Sequence, residues 1–383
     1  MKSKLFPLII PISLLVLSMY PIHALPPVLS SQDFIAYMNV SDGILQFYNV
    51  AFYIGFVMFA ALLVVLRRPI SLNRAYLNVV GGLWLMSFLV AFSNEPNIAL
   101  LGRVMLGACS FLLYAYCFQV IFSFHSGIGA YSSVFAISTI FLDSSALLNG
   151  VASDGVVTGE SYPMLITLPL IFFIATVTTF WRKVPSTTDL STMITFTSVF
   201  QNARKTFPSI CVNVAFFLFL GLLSQPKFHQ FSSIIIGICI FSLSIAFPLG
   251  AKVCVPVFNR MGPSMTVVLF TGVAVLGILL VNFSLVSNNS YLLVVATMVM
   301  AFGNAGILIS NTFSASTDKA KVTEEPQIAY MVFTAFVTAS MSMLFPFIEI
   351  QPEFLGLIIS TLYLMVFAKS VKASFNNKIK KGI

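Results

Sequence analysis

The 383-residue chain is a succession of apolar stretches of membrane-spanning length, parted by short polar breaks. A helix rising 1.5 Å per residue needs about 20 apolar residues to cross a hydrocarbon core of about 30 Å. Twelve stretches meet that requirement, near residues 5–24, 44–66, 75–93, 98–124, 129–149, 162–181, 207–224, 231–251, 264–284, 291–313, 327–347 and 353–369. With 58% hydrophobic and only 8% charged residues, the chain has too few charges to clothe a soluble globule of its size. Nearly every residue is span or connector, which excludes a large soluble catalytic domain. The net charge of +8 does not point to nucleic acid, because the basic residues stand at the ends of apolar runs, where they set topology.

Charge also orients the chain. With the amino terminus in the cytoplasm, all of the 20 Lys and Arg residues except Arg103 and Lys227 fall on the cytoplasmic side. The opposite face receives Asp33, Asp42, Glu95, Asp154, Glu160, Glu349 and Glu353. That is the asymmetry of the positive-inside rule, and it predicts a multi-pass protein of the cell (inner) membrane with both termini cytoplasmic. The longest cytoplasmic connector, 184–206, is polar and rich in Ser and Thr, and divides the chain into two blocks of six spans. The expected organisation is a six-helix bundle over 1–183, a linker over 184–206, and a second bundle with a basic tail over 207–383. Within the linker, residues 190–200 alternate apolar and hydroxyl side chains, which suits an interfacial helix or a flexible tether.

The five cysteines lie in or at the ends of apolar runs without a CxxC pair, and read as packing residues. No phosphate-binding glycine loop, HExxH or GxSxG occurs. Neither an enzyme nor a bound cofactor or metal is expected. The opening run, with Lys2 and Lys4 ahead of it, fits either a secretory signal or a retained first helix, although Ile22 stands where a cleavage site wants a small residue.

Several motifs carry a resemblance. Gly102-Arg103-Val104-Met105-Leu106-Gly107 opens the fourth span, Asn259-Arg260-Met261-Gly262 follows the eighth, and Arg67-Arg68-Pro69 stands at the matching place in the first half. These resemble the Arg-x-x-x-Gly motif and the Asp-Arg-x-Gly loop signature of the major facilitator superfamily. Met19-Tyr20, Leu25-Pro26, Gln46 and Ser310-Asn311 are similar to the bicyclomycin and chloramphenicol resistance branch of drug:proton antiporters. The resemblance runs through the whole chain. It implies an all-α protein of twelve transmembrane helices in two pseudo-symmetric six-helix bundles, a retained first helix, and secondary transport of a small molecule by alternating access, most simply proton-coupled efflux by a monomer. It also implies a role in proton linkage for Arg103 and a conformational role for Asn259, Arg260 and Gly262. The sequence departs from the pattern at Ser18, where the branch has an acid, at Leu63 and its neighbours, where the loop glycines and acid are missing, and at Ser145-Ala146, where antiporters have Gly-Pro. A loop without its acid cannot form the family's charge latch. A transporter-like receptor or scaffold that no longer transports is therefore the competing expectation.

Arg103 and Asp143 are the ionisable residues clearly inside spans, where a charge costs about 2.5–3.5 kcal/mol on insertion scales. Their positions place both about 8–9 Å below the outer boundary on consecutive antiparallel helices, so a pair is expected, acting as a proton switch or as a structural clamp. Arg103 reaching outward to the headgroups is the third arrangement. Tyr20, Gln46, Asn49, Tyr114, Gln119, Asn213 and Asn304 are polar side chains within spans. They are the candidates for a substrate path, each with helix packing as its competing role. So few intramembrane charges suit an amphiphilic or weakly charged substrate rather than a polyphosphate.

Overall fold

A computed structural model describes residues 6–23, 42–71, 74–93, 95–124, 127–153, 191–223, 233–317, 323–344 and 352–380. The first half comprises α1 (Phe6–His23), α2 (Asp42–Val65), β1 (Ile70–Ser71), α3 (Arg74–Val90), α4 (Pro96–Phe124) and α5 (Ile128–Ser153). The second comprises β2 (Ser191–Thr192), α6 (Phe196–Leu223), α7 (Ser233–Ser287), α8 (Ser290–Thr317), α9 (Glu325–Leu344) and α10 (Pro352–Lys380). A helix occupies every expected segment except 162–181, which lies outside the described residues. Three helical stretches are long and apolar enough to cross a membrane by length and composition: Pro96–Ser123, Phe241–Ser287 and Ser290–Thr317.

Helix ends follow local chemistry. Pro96 and Pro352 open α4 and α10, where the missing N–H is no loss. Thr195 and Ser198 form a reciprocal cap at the start of α6, each side-chain oxygen accepting the other's backbone N–H at 3.1 Å. Arg67 ends α2 at φ 49°, with the Arg68 N–H reaching back to the Leu63 carbonyl, so a non-glycine residue closes the turn that the loop signature gives to glycine. In the second half Gly262 sits at φ 78° and ψ 172°, a region only glycine occupies readily, and divides α7 into two arms.

Two departures from expectation concern the linker. Ile70 and Ser71 pair antiparallel with Thr192 and Ser191, adding a two-residue ladder to a chain expected to be all-α. Helix α6 then begins at Phe196, so residues 196–206 belong to a continuous helix rather than to a tether or surface helix. Once the ladder fixes residue 192, the capped turn at Thr195 launches the helix directly.

Packing is intimate where glycines allow it. A Cβ on Gly55 would lie 1.9 Å from the Val104 carbonyl oxygen, and one on Gly107 would lie 2.0 Å from that of Phe52, so α2 and α4 meet backbone to backbone. Gly303 and Gly306 bring α8 as close to Ala274 and Phe270 of α7. Gly81 and Gly82 on α3 instead face open space. That face of α3 presents Val79, Leu83 and Met86 exposed, while Val80, Trp84 and Phe88 are buried on the other, an apolar-all-round helix that suits lipid on one side.

Among the described residues the halves meet chiefly through α5 against α7 and α2 against α9.

Gly107→Val should lower the thermal midpoint of the detergent-solubilised protein by an amount equivalent to about 1–3 kcal/mol, because the α2 backbone has nowhere to move. Gly82→Ala should leave it unchanged or slightly raise it; equal losses in both variants would contradict the contact.

Candidate substrate cavity

A cavity of about 130 Å³ lies between the two halves. Helical spacing sets its walls. Leu15, Met19 and Ile22 form one stripe of α1, and Phe135, Ser138, Thr139, Leu142 and Asp143 form one of α5. Ser209, Val212, Asn213 and Phe216 face them from α6, with Leu243 and Phe247 from α7, Ala301, Asn304 and Leu308 from α8, and Tyr330 and Met331 from α9. Tyr114 of α4 completes the lining.

Of the sequence candidates, Tyr114, Asn213, Asn304 and Asp143 are brought together here. Asn213 hydrogen-bonds the Tyr330 hydroxyl, tying α6 to α9. The Tyr363 hydroxyl donates to Asn304 Oδ1, which leaves Asn304 Nδ2 buried without a partner, as is the Tyr114 hydroxyl. Buried polar groups are normally satisfied, so two unpaired atoms in the lining of one cavity stand out.

The other candidates lie elsewhere. Tyr20 is buried with its ring 6.3 Å from that of Phe88 and does not line the cavity. Gln46 and Asn49 fall on α2, but their side chains lie outside the described residues. Gln119 sits at the end of the bundle that carries the ladder, where its Nε2 donates to the Ile70 carbonyl at 3.1 Å. Asn259 and Arg260 are exposed beside the Gly262 kink. Sequence reasoning missed Ser138, Thr139, Ser209 and Tyr330. The spacing of Ser138 and Thr139 five and four residues before Asp143 is the signal that could have found two of them, since it puts all three on one helical stripe.

The expected Arg103–Asp143 pair is not what Arg103 makes. Its guanidinium, 2% exposed, donates to the Tyr48 carbonyl at 3.3 Å and the Pro21 carbonyl at 3.4 Å, with the Tyr48 and Phe52 rings 5.3 and 5.6 Å away. The carbonyl of Pro21 lies in the last turn of α1, where carbonyls lack helical partners and the helix dipole favours a cation. Equal depth on consecutive helices was the basis for the pair, but α4 and α5 each pack chiefly on α1, and meet each other through the rings of Phe118 and Phe122 against Tyr131 at the ladder end, far along both helices from Arg103 and Asp143. Arg103 turns to α1 and α2, while Asp143, 5% exposed, stands on the cavity wall.

At the ladder end the cavity is closed by contacts between halves. The Tyr131 hydroxyl shares a hydrogen bond of 2.8 Å with Thr312, and Ser132 Oγ donates to the Ala251 carbonyl at 2.7 Å. Rings stack beside them, with Phe122 and Phe313 5.9 and 5.6 Å from Tyr131. Gln119 also hydrogen-bonds Glu324, whose carboxyl burial pushes above its ordinary value.

No family profile matches the sequence, and no curated protein does. Solved structures match along their whole length. The human organic anion transporter MFSD10 (TETRAN) superposes with a TM-score of 0.65 at 13% identity, covering 97% of this chain and 100% of that one. The proton:xylose symporter XylE, bound to 6-bromo-6-deoxy-D-glucose, gives 0.70 at 11% identity, covering 96% of this chain and 94% of that one. The fold is that of the major facilitator superfamily.

Two outcomes follow. Arg103→Met should cost stability equivalent to about 1–3 kcal/mol by leaving buried carbonyls unpaired, and the loss should add to that of Asp143→Asn. A charge-swapped double variant that recovers stability would restore the direct pair. Burial raises the Glu324 carboxyl above the 4.5 of a free side chain, so folding favours its protonated form. Its contribution to stability is therefore greatest in acid and is lost as pH rises through the raised value. Glu324→Gln should flatten that decline in a series of thermal midpoints taken upward from about pH 4.5.

Proposed function

We propose that the protein is a secondary transporter that moves a small organic molecule across the cell (inner) membrane by alternating access, as a monomeric proton-coupled exporter. The observation that carries this reading is a cavity walled by both halves and closed at one end by bonds that cross between them. Alternating access needs a site at the junction of two bodies that rock against each other, with one end sealed at a time. Arg67, Arg68, Arg204 and Lys205 all stand at the ladder end, which the positive-inside rule assigns to the cytoplasm together with both termini. The cavity in this conformation is then closed inward.

Asp143 is the acid on the cavity wall, and it is the group we assign to proton linkage. Arg103, clamped on carbonyls away from the cavity, is a structural residue in this reading. The competing expectation, a scaffold that has lost transport, drew its support from the missing charge latch. Gln119, Glu324 and the ladder supply a different latch at the same end, and a scaffold has no use for unpaired polar atoms around a cavity.

The test is side-specific labelling of Ser138→Cys in a variant whose five native cysteines are replaced by alanine. An impermeant maleimide should react from the outer side of membrane vesicles, and adding Tyr131→Ala should raise reaction from the cytoplasmic side severalfold by loosening the closed end. One-sided labelling in both variants would defeat alternating access. If Asp143 carries the coupling proton, the ratio of outer to inner labelling shifts between mildly alkaline and mildly acidic buffer, and Asp143→Asn abolishes the shift.

A further inference from the structure

We infer that the cavity selects an uncharged, ring-sized molecule by its hydrogen-bond acceptor, a ketone-like oxygen received by the Tyr114 hydroxyl and the Asn304 amide together. This rests on the transporter reading and gives its substrate a chemical class.

Two unpaired atoms set the recognition. The Tyr114 hydroxyl and Asn304 Nδ2 belong to residues that line the cavity, are 2% and 5% exposed, and have no hydrogen-bond partner in the protein. Their neighbours on the wall are engaged: Ser138 donates to the Ile12 carbonyl, Ser209 donates to Asn311, and Asn213 is bonded to the Tyr330 hydroxyl. An amide nitrogen can only donate, and Asn304 Oδ1 is already taken by the Tyr363 hydroxyl, so Asn304 has N–H groups alone left to offer. The Tyr114 hydroxyl can donate as well. A hydrocarbon filling the space would leave both donors buried and unmatched, which is the costly arrangement. A ligand N–H could meet the Tyr114 oxygen but nothing on Asn304. An acceptor serves both.

The two donors come from different halves. Tyr114 stands on α4 of the first and Asn304 on α8 of the second. A carbonyl oxygen has two lone pairs, so it can accept from one donor of each half at once. Rocking of the halves changes the separation of the donors, so a ligand held by both binds the two conformations unequally. Unequal binding is what lets a ligand shift a conformational equilibrium.

Charge and size narrow the class. No Lys, Arg or His occurs among the described residues that line the cavity, so an anion finds no counter-charge there. Asp143, the acid in the lining, already has a partner within the protein, so a cation would have to compete for it. A cavity of about 130 Å³ is close to the roughly 150 Å³ of an engineered protein cavity that takes up benzene. Leu15, Phe135 and Phe247, from three different helices, supply apolar wall for a hydrocarbon ring.

The experiment measures binding of cyclohexanone, methylenecyclohexane, pyrrole, cyclohexylamine and cyclohexanecarboxylate by saturation-transfer NMR on the protein in nanodiscs, each corrected for uptake by empty nanodiscs. The first two share a shape and differ in the acceptor. Pyrrole donates without accepting, and the last two are charged at neutral pH. Cyclohexanone should bind about tenfold tighter than each of the others. Tyr114→Phe and Asn304→Leu should each narrow its lead over methylenecyclohexane about threefold, and the double variant should remove it. Because the Tyr114 hydroxyl makes no bond within the protein, Tyr114→Phe should not lower the thermal midpoint of the ligand-free protein; a fall would show that the hydroxyl is already engaged and would overturn its role. Should Asn304→Leu not fold, Tyr114→Phe and the order of the five probes on the wild-type protein decide. Equal binding of ketone and hydrocarbon, as when water already satisfies both donors, overturns the inference. So does tightest binding of pyrrole or of either charged probe, or no binding of any. Ketone preference with one-sided maleimide labelling keeps the site and removes transport; two-sided labelling without ketone preference does the reverse.

Discussion

The close approach of α2 to α4 governs how the rest of the first half is placed. Gly55 and Gly107 let the two backbones touch, and only at that separation can Arg103, one turn before Gly107 on the same face, reach the Tyr48 carbonyl on α2. The same guanidinium holds the Pro21 carbonyl and so fixes the outer end of α1. Helix α1 carries Leu15, Met19 and Ile22 on the cavity wall. Two residues without side chains and one buried cation thus position a wall that none of them touches. This gives the Arg-x-x-x-Gly spacing a physical meaning: the glycine sets the distance and the arginine uses it. In lipid, where apolar contact alone gives helices no reason to prefer one neighbour, such contacts decide which faces meet.

Once α1 is held against α4 and α5 together, the polar residues of the spans sort into two groups. Some close the bundle, such as Ser132 on the Ala251 carbonyl and Asn311, which bonds Ser209 and the Lys205 carbonyl. Others, Tyr114, Asn304 and Asp143, surround the cavity, and two of them leave buried atoms unpaired. An unpaired donor in a membrane interior costs more than in water-exposed protein, which sets these two atoms apart from the polar groups that close the bundle.

Much of this was legible in the chain. Apolar length located the helices, because nothing else satisfies a backbone in hydrocarbon. The Arg103 and Gly107 motif and the Asn259–Gly262 turn were singled out by their resemblance to known motifs. The Arg103–Asp143 pair was not to be found that way: depth along a helix follows from counting residues, but which helices are neighbours does not. Here Arg103 turns to carbonyls of α1 and α2 while Asp143 stands on the cavity wall, so two charges at one depth on consecutive helices face different partners. Gln119 illustrates the same limit, since a polar residue in an apolar run reads alike whether it lines a cavity or pairs with the Ile70 carbonyl. The ladder escaped because two residues of strand leave no periodicity to detect.

The missing acid in the first-half loop has a structural sequel. A charge latch closes one end of a two-body machine strongly and in proportion to its charges. This chain closes the same end with neutral pieces: a two-residue ladder to the linker, the Ser132 bond to the Ala251 carbonyl, and the Tyr131–Thr312 bond. Each neutral bond contributes about 0.5–1.5 kcal/mol net, so together they hold the closed state by a few kcal/mol. That is a gap of the size a ligand's differential binding can overcome, and a latch much stronger than this would leave the open state too rare to turn over. The one titratable member is Glu324, half-buried beside Gln119, whose carboxyl desolvation raises above its ordinary value.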